Sequence, residues 1–158
     1  VGSGPFSELI CLNNPGVKLY CIDAWEPYEY YVDYTDPAYL ARDYKDAVKR
    51  LAPYNAEIIR KFSMDAVKDF KDGSLDFVYI DSNHRNPYIL NDIHYWSQQV
   101  RSGGLVSGHD YVDIHSDVKK AVNDYVNSHH CRPLFLVGIP QEQGTDVANI
   151  CSWFFVKK

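Results

Sequence analysis

Residues 75–84 read LDFVYIDSNH, and residues 103–111 read GGLVSGHDY. Each segment is a largely apolar run that ends in polar and ionisable side chains. The run from Phe77 to Ile80 is apolar at every position, which a strand needs when helices cover both faces of a parallel sheet. The two segments therefore predict neighbouring strands of a buried, mostly parallel sheet.

Similar runs recur along the chain and alternate with helical periodicity. We predict strands at residues 18–23, 57–62, 75–81, 104–109, 134–139 and 152–156. Apolar residues share one helical face within residues 40–51, 89–100 and 118–126. This alternation indicates an α/β fold with a doubly wound, mostly parallel sheet, in a single domain over residues 1–158.

Composition limits the class of partner. The chain has 158 residues, 46% of them hydrophobic, which is enough for one core, and its apolar runs are far shorter than the roughly 20 residues that cross a bilayer. The net charge of −5 disfavours nucleic acid and anionic lipid. We therefore expect a small-molecule partner, with no nucleic acid and no membrane.

The cysteines bear on the cellular compartment. They are Cys11, Cys21, Cys131 and Cys151. No two of them form a C-x-x-C pair, and most lie in apolar segments. This pattern indicates reduced, buried thiols in a cytoplasmic protein.

The start of the sequence contains a candidate nucleotide site. Gly2, Ser3 and Gly4 precede a helical pattern at residues 6–13, and Asp23 closes the strand that follows. A glycine turn lets the backbone approach a nucleotide, and a carboxylate about twenty residues later accepts ribose hydroxyls. The spacing favours a nucleotide-type cofactor, although such glycines also form ordinary turns and an Asp at a strand end also serves as a turn former or N-cap.

Four ionisable residues follow the two strands quoted first: Asp81, His84, His109 and Asp110. If the strands are neighbours, these side chains meet at the carboxyl edge of the sheet, where a divalent ion or a proton acceptor can be assembled. Each residue also has a structural interpretation. Asp81 can cap the next helix, His84 can be a solvated loop residue, and the other two can hydrogen-bond a loop.

Residues 24–36 are aromatic and acidic without clean periodicity, which is typical of a loop or a partly helical excursion. Two uses of this segment stay open: a wall of a substrate pocket, or a surface through which a homo-oligomer forms. An edge strand is the other candidate surface for a homo-oligomer. Trp25, Tyr30, Tyr31 and Tyr111 are candidate pocket walls, although aromatic residues near strand ends more often serve packing.

His129, His130 and Cys131 follow a predicted helix that ends near Asn127. They include metal-ligating residue types, but no paired second site accompanies them. A helix-terminal cap with favourable dipole contacts is the better interpretation.

The stretch LDFVYIDSNHRNPYILNDIHYWSQQVRSGGLVSGHDY, residues 75–111, resembles the class I S-adenosylmethionine-dependent methyltransferases. The resemblance is to the small bacterial and phage O-methyltransferases related to macrocin-type sugar methyltransferases, and it extends over nearly the whole chain. It implies a Rossmann-like sheet of seven strands whose last strand is antiparallel, with Ser152 to Val156 as that inserted strand.

The resemblance also assigns the S-adenosylmethionine site. It makes Gly2-Ser3-Gly4 the tail of the glycine motif and Asp23 the acid that binds the ribose, and it places residues 62–65 beside the adenine. The cofactor-binding residues it implies are Gly2, Ser3, Gly4, Asp23, Ala24, Trp25, Ser63, Met64 and Asp81.

The family transfers a methyl group from a sulfonium to a nucleophile. For a hydroxyl acceptor, such as one on a sugar or a glycoside, the resemblance implies His84 as the base that takes the proton and Asp81 as its catalytic partner. By analogy with metal-dependent relatives it implies Mg²⁺ on Asp81 and Asp110, with His109 as a further ligand.

The family's glycine motif begins with an acid, an apolar residue and a first glycine at the end of the central strand, and the sequence starts after them, at Val1. The resemblance therefore implies a sheet that is truncated at its first strand. Either the sequence is a fragment of a longer product, or a strand from a partner fills the gap.

Two other functions stay open. One is a non-catalytic relative that serves as a binding or assembly module. The other is an NAD(P)-dependent oxidoreductase, but its short-chain members use a Tyr followed four positions later by Lys, and none of the 13 tyrosines has that spacing.

Overall fold

The computed structural model describes residues 1–28, 35–138 and 151–158. The described residues form two units, Val1–Ala66 and Val67–Lys158. The strands are β1 (Leu19–Asp23), β2 (Ala56–Arg60), β3 (Leu75–Ile80), β4 (Val100–Gly108), β5 (Phe135–Gly138) and β6 (Cys151–Val156). The helices are α1 (Pro5–Asn13), α2 (Pro37–Leu51), α3 (Ser63–Ala66), α4 (Tyr88–Gln99) and α5 (Ser116–Ser128).

The first unit holds a parallel pair of strands. β1 pairs with β2 in a register that runs from Leu19 opposite Ala56 to Asp23 opposite Arg60. A parallel connection needs a crossover, and α2 supplies it. This helix begins where the carboxylate of Asp36 accepts a hydrogen bond from the Ala38 amide at 2.9 Å, which satisfies one of the free amides of the first turn.

The second unit holds a four-stranded sheet in the order β3-β4-β6-β5. β3 and β4 are parallel, whereas β6 lies between β4 and β5 and is antiparallel to both. The expectation of an inserted, antiparallel last strand is therefore confirmed. Six described strands in two sheets stand in place of the seven-stranded sheet that the resemblance implies.

β4 begins at Val100, earlier than predicted, and its glycines allow a close approach of other chain segments. A Cβ on Gly104 would lie 2.6 Å from the carbonyl oxygen of Asp76. A Cβ on Gly108 would lie 2.5 Å from the carbonyl oxygen of Ile80 and 2.6 Å from the Trp153 ring. Only glycine fits at these two points, because the nearest atoms include the backbone of the neighbouring strand.

The core follows the predicted apolar faces. Ile89, Ile93 and Trp96 of α4 are buried, as are Val118 and Val122 of α5. All four cysteines are buried and carry free thiols, so their expected burial is confirmed, whereas their redox state in the cell stays a prediction. Within the described residues, no helix has the length and apolarity to cross a membrane.

Two predictions from the sequence stay untested by the described residues. Tyr30 and Tyr31 lie outside the described residues, as does most of the Tyr-rich segment, so its use as a pocket wall or an oligomer surface stays a prediction. The single domain over residues 1–158 also stays a prediction, since each unit is described by itself.

Candidate active site

The carboxylate of Asp23 joins the end of β1 to the glycine turn. Its Oδ2 accepts a hydrogen bond from the Gly2 amide at 3.1 Å, and its Oδ1 accepts one from the Trp25 amide at 2.8 Å. Oδ2 also lies 3.3 Å from the amino group of Val1, so the acceptor capacity left for a ligand lies mainly on Oδ1. The sequence spacing of Gly2 and Asp23 therefore corresponds to a direct contact.

Trp25 fixes the turn that follows Asp23. Its backbone is left-handed, with φ of 47°, a conformation that is strained for a bulky residue. Its indole Nε1 donates a hydrogen bond to the Gly2 carbonyl at 3.0 Å, and its ring packs edge-on against Tyr44 at 5.0 Å between centroids. The side chain is 2% exposed, so Trp25 is a core residue that shapes this turn.

The glycine turn itself is held by Arg50 of α2. The guanidinium donates to the Ser3 carbonyl at 3.0 Å and to the Glu8 carboxylate at 2.8 Å. Gly4 precedes α1 with φ of 86°, which glycine adopts without strain. Arg50 thus connects both the glycine turn and the first turn of α1 to α2.

The remaining predicted cofactor residues of this unit lie at or beyond strand ends. The Ala24 carbonyl accepts a hydrogen bond from Arg60 at 3.3 Å. Ser63 and Met64 open α3, just after β2, and both are half-buried. Asp81, the last predicted cofactor residue, belongs to the second unit.

A second cluster forms where β3 and β4 end. These strands pair in parallel with Ile80 opposite Gly108, so the residues after each strand emerge side by side. The His84 Nε2 atom lies 3.0 Å from Asp110 Oδ2 and 3.7 Å from Asp81 Oδ1. His109 Nδ1 lies 3.1 Å from the same Asp110 oxygen. The four predicted ionisable side chains therefore meet at one edge of this sheet.

The charges of His84 and Asp110 depend on each other. Burial alone lowers the pKa of His84, but the hydrogen bonds and charges of Asp110 and Asp81 outweigh it and raise the pKa to about 9. Burial likewise raises the pKa of Asp110, but hydrogen bonds from His84 and His109 lower it to about 2. At neutral pH the resting pair is an imidazolium and a carboxylate.

The loop after β4 is anchored by β6. The Trp153 indole donates to the His109 carbonyl at 3.1 Å, and the Tyr111 amide donates to the Cys151 carbonyl at 3.0 Å. Asp110, between them, is left-handed with φ of 57°. Such a conformation persists when its surroundings determine it, and here both neighbours of Asp110 are fixed.

Asp81 does not cap the next helix. α4 begins at Tyr88, and its N-cap position, Pro87, makes no capping hydrogen bond with a side chain. Asp81 instead lies against His84, with its side chain 51% exposed. The helix-cap interpretation of Asp81 is therefore wrong.

Sequence reasoning missed His115. This residue ends a short 3₁₀ turn before α5, and its ring centroid lies 4.5 Å from that of His84. Its position five residues after Asp110 was the only available signal, because an irregular loop has no period that assigns a side chain to one face.

Asp81, His109 and Asp110 place one ligand atom each within 4.8 Å of one another. Mg²⁺ prefers near-octahedral oxygen coordination. This set contains an imidazole nitrogen, from His109, in place of a third oxygen ligand. The donor set does not fit Mg²⁺.

His129 is the C-cap residue of α5. Its Nδ1 lies 3.0 Å from the Tyr125 carbonyl oxygen, and its ring stacks on that of Tyr125 at 4.0 Å. The helix-cap interpretation of this segment is confirmed.

Residues 6–111 match the model of a family described as a methyltransferase domain. A search of curated protein sequences finds no match.

Solved structures resemble the chain over almost its whole length. An rRNA methylase from Streptococcus thermophilus shares 16% identity at a TM-score of 0.64, covering 99% of this chain and 81% of that one. A Klebsiella pneumoniae protein assigned as an O-methyltransferase shares 13% identity at a TM-score of 0.63, covering 96% and 68%. A Streptococcus mutans protein assigned as a methyltransferase, solved with SAH, shares 11% identity at a TM-score of 0.63, covering 98% and 84%. At these identities the likeness shows the fold alone.

Proposed function

The chain belongs to the methyltransferase-domain family, and on that premise we propose that it transfers a methyl group from S-adenosylmethionine to a hydroxyl of a small molecule, with His84 as the base. The contact of 3.0 Å between His84 and Asp110 carries this proposal, because it pairs a histidine with a carboxylate as a general base requires. A sugar or a glycoside is the acceptor class we propose.

The donor binds, in this proposal, at the glycine turn. Asp23 accepts the ribose hydroxyls with its remaining lone pairs, while Gly2, Ser3 and Gly4 bring the backbone to the nucleoside. The contacts of Asp23 with the Gly2 and Trp25 amides support this role, because they orient both carboxylate oxygens before a ligand arrives. Ala24, Ser63 and Met64 are the further donor-binding residues we propose.

The chemical step moves one methyl group and one proton. The acceptor oxygen forms a bond to the methyl carbon as the carbon–sulfur bond breaks, so the sulfonium leaves as a neutral thioether. The hydroxyl proton passes to His84. Since Nε2 lies 3.0 Å from Asp110 Oδ2, we propose that the neutral ring carries its hydrogen on Nε2 and accepts the proton at Nδ1.

Asp110 then stabilises the imidazolium that the step creates. The same contact helps to raise the pKa of His84 to about 9, so the His84 ring is protonated in most resting molecules at neutral pH. Neutral His84 is the reactive form, and its population increases with pH. No step of this mechanism requires a metal.

Donor binding and acceptor chemistry are tested separately. S-adenosylmethionine is titrated into the protein by calorimetry, with NAD as the competing cofactor class. Formation of S-adenosylhomocysteine is then followed by mass spectrometry with a panel of sugars and glycosides. We expect binding of the donor alone and turnover with a hydroxylated acceptor. Binding of NAD, or of neither ligand, contradicts the proposal.

A matched histidine variant tests the base. His84→Gln should reduce turnover by roughly 10²–10⁴-fold while leaving donor affinity nearly unchanged. His94→Gln is the control, because His94 is exposed on α4 and its hydrogen bond is with Gln98, at 3.1 Å. Equal turnover in both variants would remove His84 from the mechanism.

A further inference from the structure

His84, Asp110 and His115 form a second group of potential ligands around the same carboxylate. Each offers one ligand atom, and these atoms lie within 4.8 Å of one another. All three side chains are half-buried, whereas the alternative group contains Asp81, whose side chain is 51% exposed. The buried group loses less of its ligand strength to competing water.

The chemistry of this group is specific to a class of ion. Two imidazoles and one carboxylate suit first-row transition ions such as Zn²⁺, whereas Mg²⁺ and Ca²⁺ require mostly oxygen ligands. Three protein ligands also leave a coordination position open to water or to another molecule.

The three residues come from two loops, His84 from the one after β3 and the other two from the one after β4. Asp110 sits between the anchored carbonyl of His109 and the anchored amide of Tyr111. His115 closes the 3₁₀ turn at Asp113–His115, and its ring already lies 4.5 Å from that of His84. The ligands therefore need only small side-chain rotations to converge on one ion.

We propose that His84, Asp110 and His115 bind a transition-metal ion of the Zn²⁺ class, with His115 as the residue that completes the site. The site does not depend on the proposed function. Its consequence does: an ion bound to either ring nitrogen uses the one lone pair with which neutral His84 would take the proton, so metal binding and methyl transfer through His84 exclude each other.

Metal binding is measured without donor or acceptor. Zn²⁺ is titrated into the full chain in competition with a chromogenic chelator, and Co²⁺ is added separately to follow its visible absorption. We expect one Zn²⁺ per chain, at least tenfold weaker binding in His115→Asn, and loss of the tetrahedral Co²⁺ bands in that variant. Circular dichroism checks that the variant is folded, and His115→Gln provides a second substitution.

His94→Asn is the control for adventitious binding by histidine. His94 and His129 have ring centroids 6.5 Å apart and form a second pair of neighbouring histidines in the described part of this unit. The control should bind Zn²⁺ as the wild type does. Unchanged binding in both His115 variants, loss of binding in His94→Asn, or no binding by the wild type overturns the proposal.

An activity measurement separates the two proposals. With an acceptor in hand, Zn²⁺ should inhibit turnover of the wild type at concentrations that match its binding, and a chelator should restore it. Inhibition without stoichiometric binding overturns the metal site alone. Stoichiometric binding by a protein that never consumes S-adenosylmethionine contradicts only the proposed function.

Discussion

The Nε2 atom of His84 lies 3.0 Å from the Oδ2 atom of Asp110, and each residue follows a different strand of one parallel pair. The contact links two loops whose sequences are separated by α4. It sets the charge of both side chains, so activity and stability should both depend on pH.

The rate of methyl transfer should increase with pH up to about 9. Burial lowers the pKa of His84, but its carboxylate neighbours raise it to about 9, and only the neutral ring accepts a proton. The measurement is the pH dependence of kcat/KM, which reports groups of the free enzyme. A rate that is flat between pH 6 and 9 contradicts the prediction.

Asp110→Asn should move this increase of kcat/KM to lower pH. Removing the carboxylate removes the main contribution that raises the pKa of His84, so burial then dominates. Asn tolerates the left-handed backbone at this position, where φ is 57°. The measurement is again the pH dependence of kcat/KM. Asp46→Asn is the control, because Asp46 is exposed on α2 and its substitution should leave the increase with pH unchanged.

The pair should stabilise the fold within a defined pH window. The pKa of His84 is raised in the folded state, so its contribution is complete below about 6.5 and is lost as pH increases through about 9. The pKa of Asp110 is lowered, so its contribution is complete above about 3.8 and is lost as pH decreases through about 2.

His84→Gln should therefore lower the free energy of unfolding most between about pH 4 and 6.5. Hydrogen bonds to charged groups contribute about 1.5–3 kcal/mol, and partial exposure reduces this to about 1–2 kcal/mol. Urea unfolding at pH 5.5 and pH 10 measures the difference. An equal loss at both values would show that packing, not charge, carries the effect.

Asp23→Asn should weaken donor binding. The variant keeps one carbonyl acceptor for the amides of Gly2 and Trp25, and it loses an oxygen that the ribose needs. We expect about 10–100-fold weaker binding of S-adenosylmethionine by calorimetry, which corresponds to the loss of one charge-assisted hydrogen bond of ordinary strength. Unchanged affinity would place the donor elsewhere.

Gly108→Ala should destabilise the second unit. The new Cβ would meet the Ile80 carbonyl at 2.5 Å and the Trp153 ring at 2.6 Å, and the carbonyl belongs to a paired strand that has little freedom to move. Overpacking of this kind costs about 1–3 kcal/mol, measured by urea unfolding. A loss below about 0.5 kcal/mol would mean that β3 and β4 separate easily.

The sequence predicted the fold well because its signals are local. Alternating apolar runs and helical faces located every described strand and the four longer helices. The antiparallel orientation of the last strand was expected only from the resemblance. The end of β2 was placed too late, at Phe62, because Lys61 and Phe62 lead into the short helix α3 without a turn residue between them.

The candidate site was only partly predictable. The convergence of His84 and Asp110 followed from the pairing of parallel strands, which sequence order suggests. The roles of Trp25 and His115 did not, because they depend on backbone conformations that no pattern specifies. Trp25 was expected as a pocket wall, yet its left-handed turn makes it a buried anchor for Gly2.

The insertion of β6 between β4 and β5 bears on the order of folding. β3 and β4 leave the ribosome before β6, yet the indole that holds the His109 carbonyl belongs to β6. Until that strand enters the sheet, the loop carrying Asp110 lacks its anchor, and the edge of β4 stays open to pairing with other chains. The loop that carries Asp110 thus gains this anchor only after β6 has been synthesised.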